Sequence, residues 1–183
     1  MKKEKRKNIA IRTAVMGILG AVALALSFLE GLIPDIAFLP PGAKLGLSNI
    51  AVMFAALTLS CVDGLFIVLL KSGFVFLTRG AASFFMSFSG GLLSYIVLVI
   101  SVMLSKKLKT GFSYIGISVI CAVFHNVGQV AAASIYTKTN LAAAYLPLLI
   151  IFGIFSGVIT GIILRAVMPV LVKYDKNNVF GNF

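Results

Sequence analysis

The chain is poor in acidic residues: Glu4, Glu30, Asp35, Asp63 and Asp175 are all it has among 183 residues. No two of them stand three or four apart, so no pair shares a helix face where a divalent ion could be clamped. The two cysteines, Cys61 and Cys121, lie in or beside apolar runs. They form neither a metal-ligand spacing nor a disulfide framework. The single histidine, His125, has no carboxylate near it on its own helix, which makes it a poor general base. A phosphate-binding GxxxxGK[ST] loop, an HExxH zinc motif and a GxSxG elbow are all missing. These absences point away from an enzyme and imply no metal and no cofactor.

What remains is apolar: 60% of residues are hydrophobic and 11% charged, with a mean hydropathy of +1.09. Such a composition describes a chain whose solvent is lipid. A net charge of +11 raises the question of nucleic acid. The basic residues, however, cluster at the ends of apolar segments, with no aromatic-basic interleaving, so nucleic acid is not an expected partner.

Six transmembrane helices are predicted, over Ile9–Leu29, Leu45–Leu59, Val62–Leu77, Ala81–Leu104, Ser113–Tyr136 and Ala144–Leu171. The fold class is therefore an all-α integral membrane protein, a six-transmembrane-helix bundle. Residues 1–8 form a basic N-terminus, 9–172 the membrane domain and 173–183 a tail. The first run is too long for the core of a signal peptide and lacks a small-residue cleavage site, so it reads as a retained span. The second and third runs are short against the ~20 residues a bilayer needs. A hairpin with a tight turn at Ser60–Asp63 accommodates them.

Orientation follows the basic residues. One side holds Lys2, Lys3, Lys5, Arg6, Lys7, Arg12, Lys106, Lys107, Lys109, Arg165, Lys173 and Lys176. The other keeps Lys44, Lys71, Arg79 and Lys138, a distribution of twelve against four. Both termini are expected in the cytoplasm. The longest outer connection, Glu30–Lys44, contains Gly31, Pro34, Pro40, Pro41 and Gly42. It should be irregular, a plain connector or a cap over an outward-facing site.

Polar residues inside the spans are the candidate site. His125 and Gln129 lie one helical turn apart with Asn126 alongside, which reads as one polar face. At ~1.5 Å per residue, Asn49 is roughly 7 Å, Lys71 roughly 9 Å and Gln129 roughly 10 Å below the outer face, with His125 near the midplane. Lys44, Glu30, Arg79, Tyr136 and Lys138 lie nearer the rim. Intramembrane polar groups are costly and by default mark a ligand or ion site. Helix–helix hydrogen bonding is the plainer reading for His125, Asn126 and Gln129, and snorkelling to the headgroups the plainer one for Lys71. Lys44, Lys71 and Arg79 would make a pocket mouth cationic and suit an anionic group. Glu30 and Asp35 could instead neutralise them.

Three segments carry small residues at close spacing: Gly17, Ala21 and Ala25; Ser83, Ser87, Gly90, Gly91 and Ser94; and Gly153, Gly157 and Gly161. Such stripes let membrane helices approach closely, either within the chain or against another protein. The first is the candidate partner-docking stripe.

The stretch Pro41–Ile50, PGAKLGLSNI, resembles the PGAKLGLANI motif of a bacterial membrane family. That family carries two names, Gx transporter and heptaprenyl diphosphate synthase component I. Further matches are Ser87–Ser94 (SFSGGLLS), Phe112–Ser118 (FSYIGIS), Ala122–Gln129 (AVFHNVGQ), Tyr145–Pro147 and the glycines of the last span. Ser48 and Phe124 depart slightly from the pattern. The family in turn is similar to the substrate-binding S components of energy-coupling-factor transporters, six-helix proteins that bind vitamins near the outer face. The resemblance implies a substrate-binding subunit in the bacterial cytoplasmic membrane and assigns no substrate; the cationic mouth suits a small anionic or amphipathic ligand. It also implies a transmembrane coupling protein docked on Gly17, Ala21 and Ala25, and cytoplasmic ATPases. Lys44, Asn49, Lys71, His125, Asn126 and Gln129 are the residues expected to hold the ligand. The alternatives are a membrane component of a prenyl diphosphate synthase and a structural subunit of a flavin- or quinone-linked redox system.

Overall fold

The computed structural model describes residues 2–32, 44, 46–108 and 113–174. These residues form five α-helices: α1 (Lys2–Leu32), α2 (Asn49–Thr58), α3 (Cys61–Leu108), α4 (Tyr114–Thr137) and α5 (Leu141–Tyr174). Four of them, α1, α3, α4 and α5, are long and apolar enough to cross a membrane. The chain is a membrane protein, all-α as expected.

The expected count of six separate helices is corrected to five, because the third and fourth runs are continuous in α3. A straight helix of 48 residues would be roughly 70 Å long, more than twice the ~30 Å hydrocarbon core. α3 is not straight. Gly80 alone leaves helical geometry, at φ 80° and ψ −177°, a conformation that only glycine adopts freely. The two arms, 61–79 and 81–108, then fold back on each other. Phe76 meets Phe84 edge to face at 5.7 Å, and the Tyr95 hydroxyl donates to the Cys61 carbonyl at 2.7 Å. In a straight helix Cys61 and Tyr95 would stand roughly 50 Å apart. Arg79-Gly80 carries none of the Pro or Asn signals of a turn, so one glycine makes this reversal.

α2 has 10 residues, all buried. At roughly 15 Å it spans half a bilayer, and it is an interior helix wrapped by its neighbours. It begins at Asn49 rather than Leu45 because Gly46 turns the chain at φ 76°. The short turn into α3 falls at the predicted hairpin. Ser60 Oγ accepts the Asp63 N–H at 3.3 Å and donates to Asp63 Oδ2 at 2.8 Å, capping the start of α3. Arg12 on α1 donates to both residues, at 2.5 Å to Asp63 and 3.0 Å to Ser60. The Arg12 side chain is 46% exposed, so solvent screens this pair. Arg12→Ala should cost about 0–1 kcal/mol. A thermal-stability loss well beyond that in detergent would show the contact to be more than a surface tie.

The glycines of α5 pack within the chain. A Cβ on Gly153, Gly157 or Gly161 would meet backbone of Val123, Val119 and Ile115 in turn, at 3.1, 2.5 and 2.6 Å. α4 and α5 therefore run antiparallel with their backbones nearly touching. Gly128 and Gly90 do the same for α4 and the second arm of α3, where a Gly128 Cβ would lie 2.8 Å from Gly90 Cα. α1 differs. Gly17, Ala21 and Ala25 are exposed, and a Cβ on Gly17 would meet nothing within 4 Å.

Candidate functional site

Charged and polar side chains from four helices converge inside one end of the bundle, beside the C-terminal end of α1. On α1, Ser27 and Glu30 are the polar residues of an otherwise apolar second half, and both are buried. Their three-residue spacing puts them on one face, turned inward. Glu30 accepts hydrogen bonds from the Leu47 backbone N–H and from Ser48 Oγ, the latter at 3.3 Å. The carboxylate thus holds the segment that leads into α2.

Lys71, on the first arm of α3, is 1% exposed and does not snorkel. Its ammonium donates to Asn49 Oδ1 and, at 3.4 Å, to Ser48 Oγ. Its stem lies across Gly91, where a Cβ would come within 3.3 Å of Lys71 Cε. Ser48 therefore links Glu30 to Lys71, donating to one and accepting from the other. Burying these charges is costly unless each is hydrogen-bonded, and the start of α2 supplies the bonds.

The α4 side of the site is a clasp. The Gln129 amide pairs in both directions with the Lys44 backbone, accepting its N–H and donating to its C=O, each at 3.0 Å. That double pairing fixes which end of the amide carries nitrogen. Gln129 Nε2 also lies 2.6 Å from His125 Nε2, and with its remaining proton it donates there. The imidazole is thus neutral, with its proton on Nδ1. His125 Nδ1 is buried, and the ring interacts with the Gly90 backbone. Glycines flank the ring: a Cβ on Gly46 would lie 2.7 Å from Cδ2, and one on Gly90 would lie 3.0 Å from Cε1. The first of these glycines belongs to the PGAKLGLSNI stretch, whose conformation and lack of side chain let it sit on the histidine.

Between these groups lies a cavity of about 20 Å³, close to the smallest space that holds one water. Lys44, Lys71 and Arg79 line it together with one acid, Glu30. His125, Gln129, Ser83 and Ser87 complete its polar wall. The described lining carries a surplus of positive charge. No cluster of three His, Cys, Asp or Glu able to hold a metal occurs among the described residues.

Lys44, Lys71, His125 and Gln129 line the cavity, and Asn49 binds the Lys71 ammonium. Asn126 turns elsewhere. Its Nδ2 donates to the Leu149 carbonyl on α5 at 2.7 Å, so the polar face expected of three residues is two residues plus an interhelical bond. Successive helical residues are about 100° apart, which separates Asn126 from the His125–Gln129 edge. The site also includes Ser27, Glu30, Ser48 and Ser83, which the sequence does not single out as ligand-holding. Ser27 and Glu30 are detectable as the polar residues of an apolar half-helix. Ser83 and Ser87 read as packing residues, and nothing local distinguishes the two roles. Most of the Glu30–Lys44 connection, expected to be irregular, lies outside the described residues, as do most of the 173–183 tail and Asp35.

A solved structure of the S component of a bacterial ECF transporter has the same fold, with a TM-score of 0.60 and 22% sequence identity. The alignment covers 91% of this chain and 98% of that one. No curated protein matches the chain. Residues 19–167 match the family described as heptaprenyl diphosphate synthase component I. That match takes in α2 to α4 whole, the C-terminal part of α1, most of α5 and every site residue named above, and the chain belongs to this family.

Proposed function

We propose that the chain is the ligand-binding subunit of a membrane transporter, with six membrane-crossing or membrane-embedded segments and both termini in the cytoplasm. The observation that carries this reading is the buried, cation-rich cavity built from α1, Lys44 and Ser48 ahead of α2, both arms of α3 and α4. A membrane protein that only needed to pack would not bury a lysine and a glutamate at several kcal/mol apiece. The likeness of fold to an ECF transporter S component supports it. The chemistry is binding rather than bond making. The ligand is a small anionic or amphipathic molecule, with Lys44 and Lys71 supplying charge and Asn49, His125 and Gln129 supplying directional hydrogen bonds. Asn126 orders α4 against α5 behind them.

In this reading Gly17, Ala21 and Ala25 form the surface for a transmembrane coupling protein, itself driven by cytoplasmic ATPases. The family description favours a second reading, a membrane component of a prenyl diphosphate synthase, with a soluble partner holding the metal ions that such chemistry needs. Gentle purification from the native membrane separates the two. Co-purifying ATPases and a retained small molecule, identified by mass spectrometry, are the expected result. A prenyl synthase subunit in their place would sink the transporter reading. Asn49→Ala and Gln129→Ala should each lower ligand retention by roughly tenfold, from about 1–3 kcal/mol of lost paired hydrogen bonding, while the protein still inserts. Native retention in both variants would mean that these residues only hold helices together.

A further inference from the structure

The hydroxyl side chains of these helices do not all behave alike. Thr58, Thr78, Thr137 and Thr160 each donate to a backbone carbonyl three or four residues earlier, at 2.6, 2.9, 2.8 and 3.1 Å. A helix offers this bond to any hydroxyl that has no better partner. Ser83 and Ser87, on the second arm of α3, do not take it, and neither makes a hydrogen bond among the described residues. For Ser87 a carbonyl stands ready one turn back in regular helix, that of Ser83. Both serines are half-buried, and both line the cavity of about 20 Å³ beside Lys71, Glu30 and His125. They are one turn apart, so they open on that space from a single face.

Cβ atoms four residues apart on a helix are about 5–6 Å from each other. One oxygen midway between two such hydroxyls is within hydrogen-bond reach of both. A serine hydroxyl donates one proton and accepts at two lone pairs, so the pair suits a guest that also does both. An alcohol group does: it accepts from one serine and donates to the other. An ammonium only donates and a carboxylate oxygen only accepts, so each would leave half of the pair's capacity unused. A neutral group also avoids the desolvation cost of placing a further charge among buried ones. Val75 is the apolar residue of the described lining, and no aromatic ring is part of it. Recognition at this wall is therefore by hydrogen bonds rather than by apolar contact.

We propose that Ser83 and Ser87 form a hydroxyl subsite, with the ligand a hydroxylated small molecule whose alcohol oxygen sits between the two serines. This rests on reading the chain as a ligand-binding subunit, and it names a functional group of the ligand and the residues that read it. The Lys71 stem crosses Gly91, one turn beyond Ser87, so the ammonium stands next along the same face. A small molecule held at Lys71 thus presents its neighbouring atoms to the serines. Because neither hydroxyl has a bond inside the protein to lose, a role in binding and a role in packing give different results when it is removed.

Saturation-transfer NMR on the protein in phosphatidylcholine nanodiscs detects weak binding of small probes. Glycolate carries the alcohol group, and fluoroacetate is its match in charge and shape, with fluorine in the hydroxyl's place and no proton to donate. Glycolate should bind the parent roughly tenfold more tightly than fluoroacetate, as the loss of paired hydrogen bonds predicts. Ser83→Ala and Ser87→Ala should each remove that preference and leave thermal stability unchanged. Thr160→Ala, which deletes a back-bonded hydroxyl on α5, should keep the preference. Equal binding of the two probes to the parent, a preference that survives both serine variants, or no binding of glycolate would overturn the proposal. So would a fall in thermal stability of the serine variants without any glycolate binding to the parent, which would make the pair holders of a structural water. If any of these occurs while the purified protein still retains a small molecule, the hydroxyl subsite fails and the ligand-binding reading stands.

Discussion

Gly157→Leu should leave the protein unable to keep α4 against α5, and the variant should aggregate or elute as unfolded material after extraction in mild detergent. The reason is the nature of the neighbours. A Cβ at this position falls 2.5 Å from Val119 Cα and 3.0 Å from the Ser118 carbonyl oxygen. These are backbone atoms of a regular helix and cannot turn aside as a side chain would. Overpacking a core costs about 1–3 kcal/mol when side chains can shift. Here the helices must separate, and the same contact recurs at Gly153 and Gly161, so a longer side chain loses the whole seam. Against a total stability of about 5–15 kcal/mol, that loss is decisive. Gly157→Ala should be intermediate. Gly17→Leu should be neutral for the isolated protein, because nothing lies within 4 Å of its Cβ position. Size-exclusion profiles after a temperature series distinguish the three variants. A Gly157→Leu protein as heat-resistant as the parent would show that α4 and α5 are not held by this close approach.

Glu30→Gln should be the most damaging isosteric change in the site. The carboxylate anchors the Leu47 N–H and Ser48, and it is the acid among the described residues that line the cavity with Lys44, Lys71 and Arg79. Without it Lys71 is a buried ammonium whose described partners are the neutral oxygens of Asn49 and Ser48. Removing one member of a buried charged set costs about 3–5 kcal/mol, largely through the charge left behind. The amide still fills the space, so packing is a minor part of the change. Lys71→Met removes the stranded charge and keeps a long flexible stem. The double variant Glu30→Gln with Lys71→Met should therefore be more stable than Glu30→Gln alone, by a coupling of about 0.5–3 kcal/mol. Unfolding in a graded denaturing detergent measures all four proteins. Strictly additive losses would mean that Glu30 and Lys71 do not sense each other through Ser48.

Much of this is readable without coordinates. Lipid as the solvent, helices as the elements and the glycine spacing of the last span all follow from composition and period. So does the hairpin at Ser60–Asp63, because these are local properties of the chain. The PGAKLGLSNI stretch points to the family, and its Gly46 is the residue that turns beneath His125. Gly80 reads in the sequence as a break between two helices and is a one-residue corner inside α3. Any glycine can adopt that conformation, and only the packing of Phe76 on Phe84 and Tyr95 on Cys61 selects it.

Helix rotation is settled by tertiary structure alone. Asn126 goes to Leu149 rather than to the cavity, Glu30 comes in from the expected rim with Ser27 beside it, and Arg79 ties back to Ser27 along the cavity wall. In water an apolar face points inward and fixes rotation from sequence. In a membrane both the interior and the surroundings are apolar, so the hydrophobic pattern of a span does not say which side faces its neighbours. The chain alone determined which residues share a turn. The contacts between helices, set by glycine seams and buried hydrogen bonds, determined which of those residues meet.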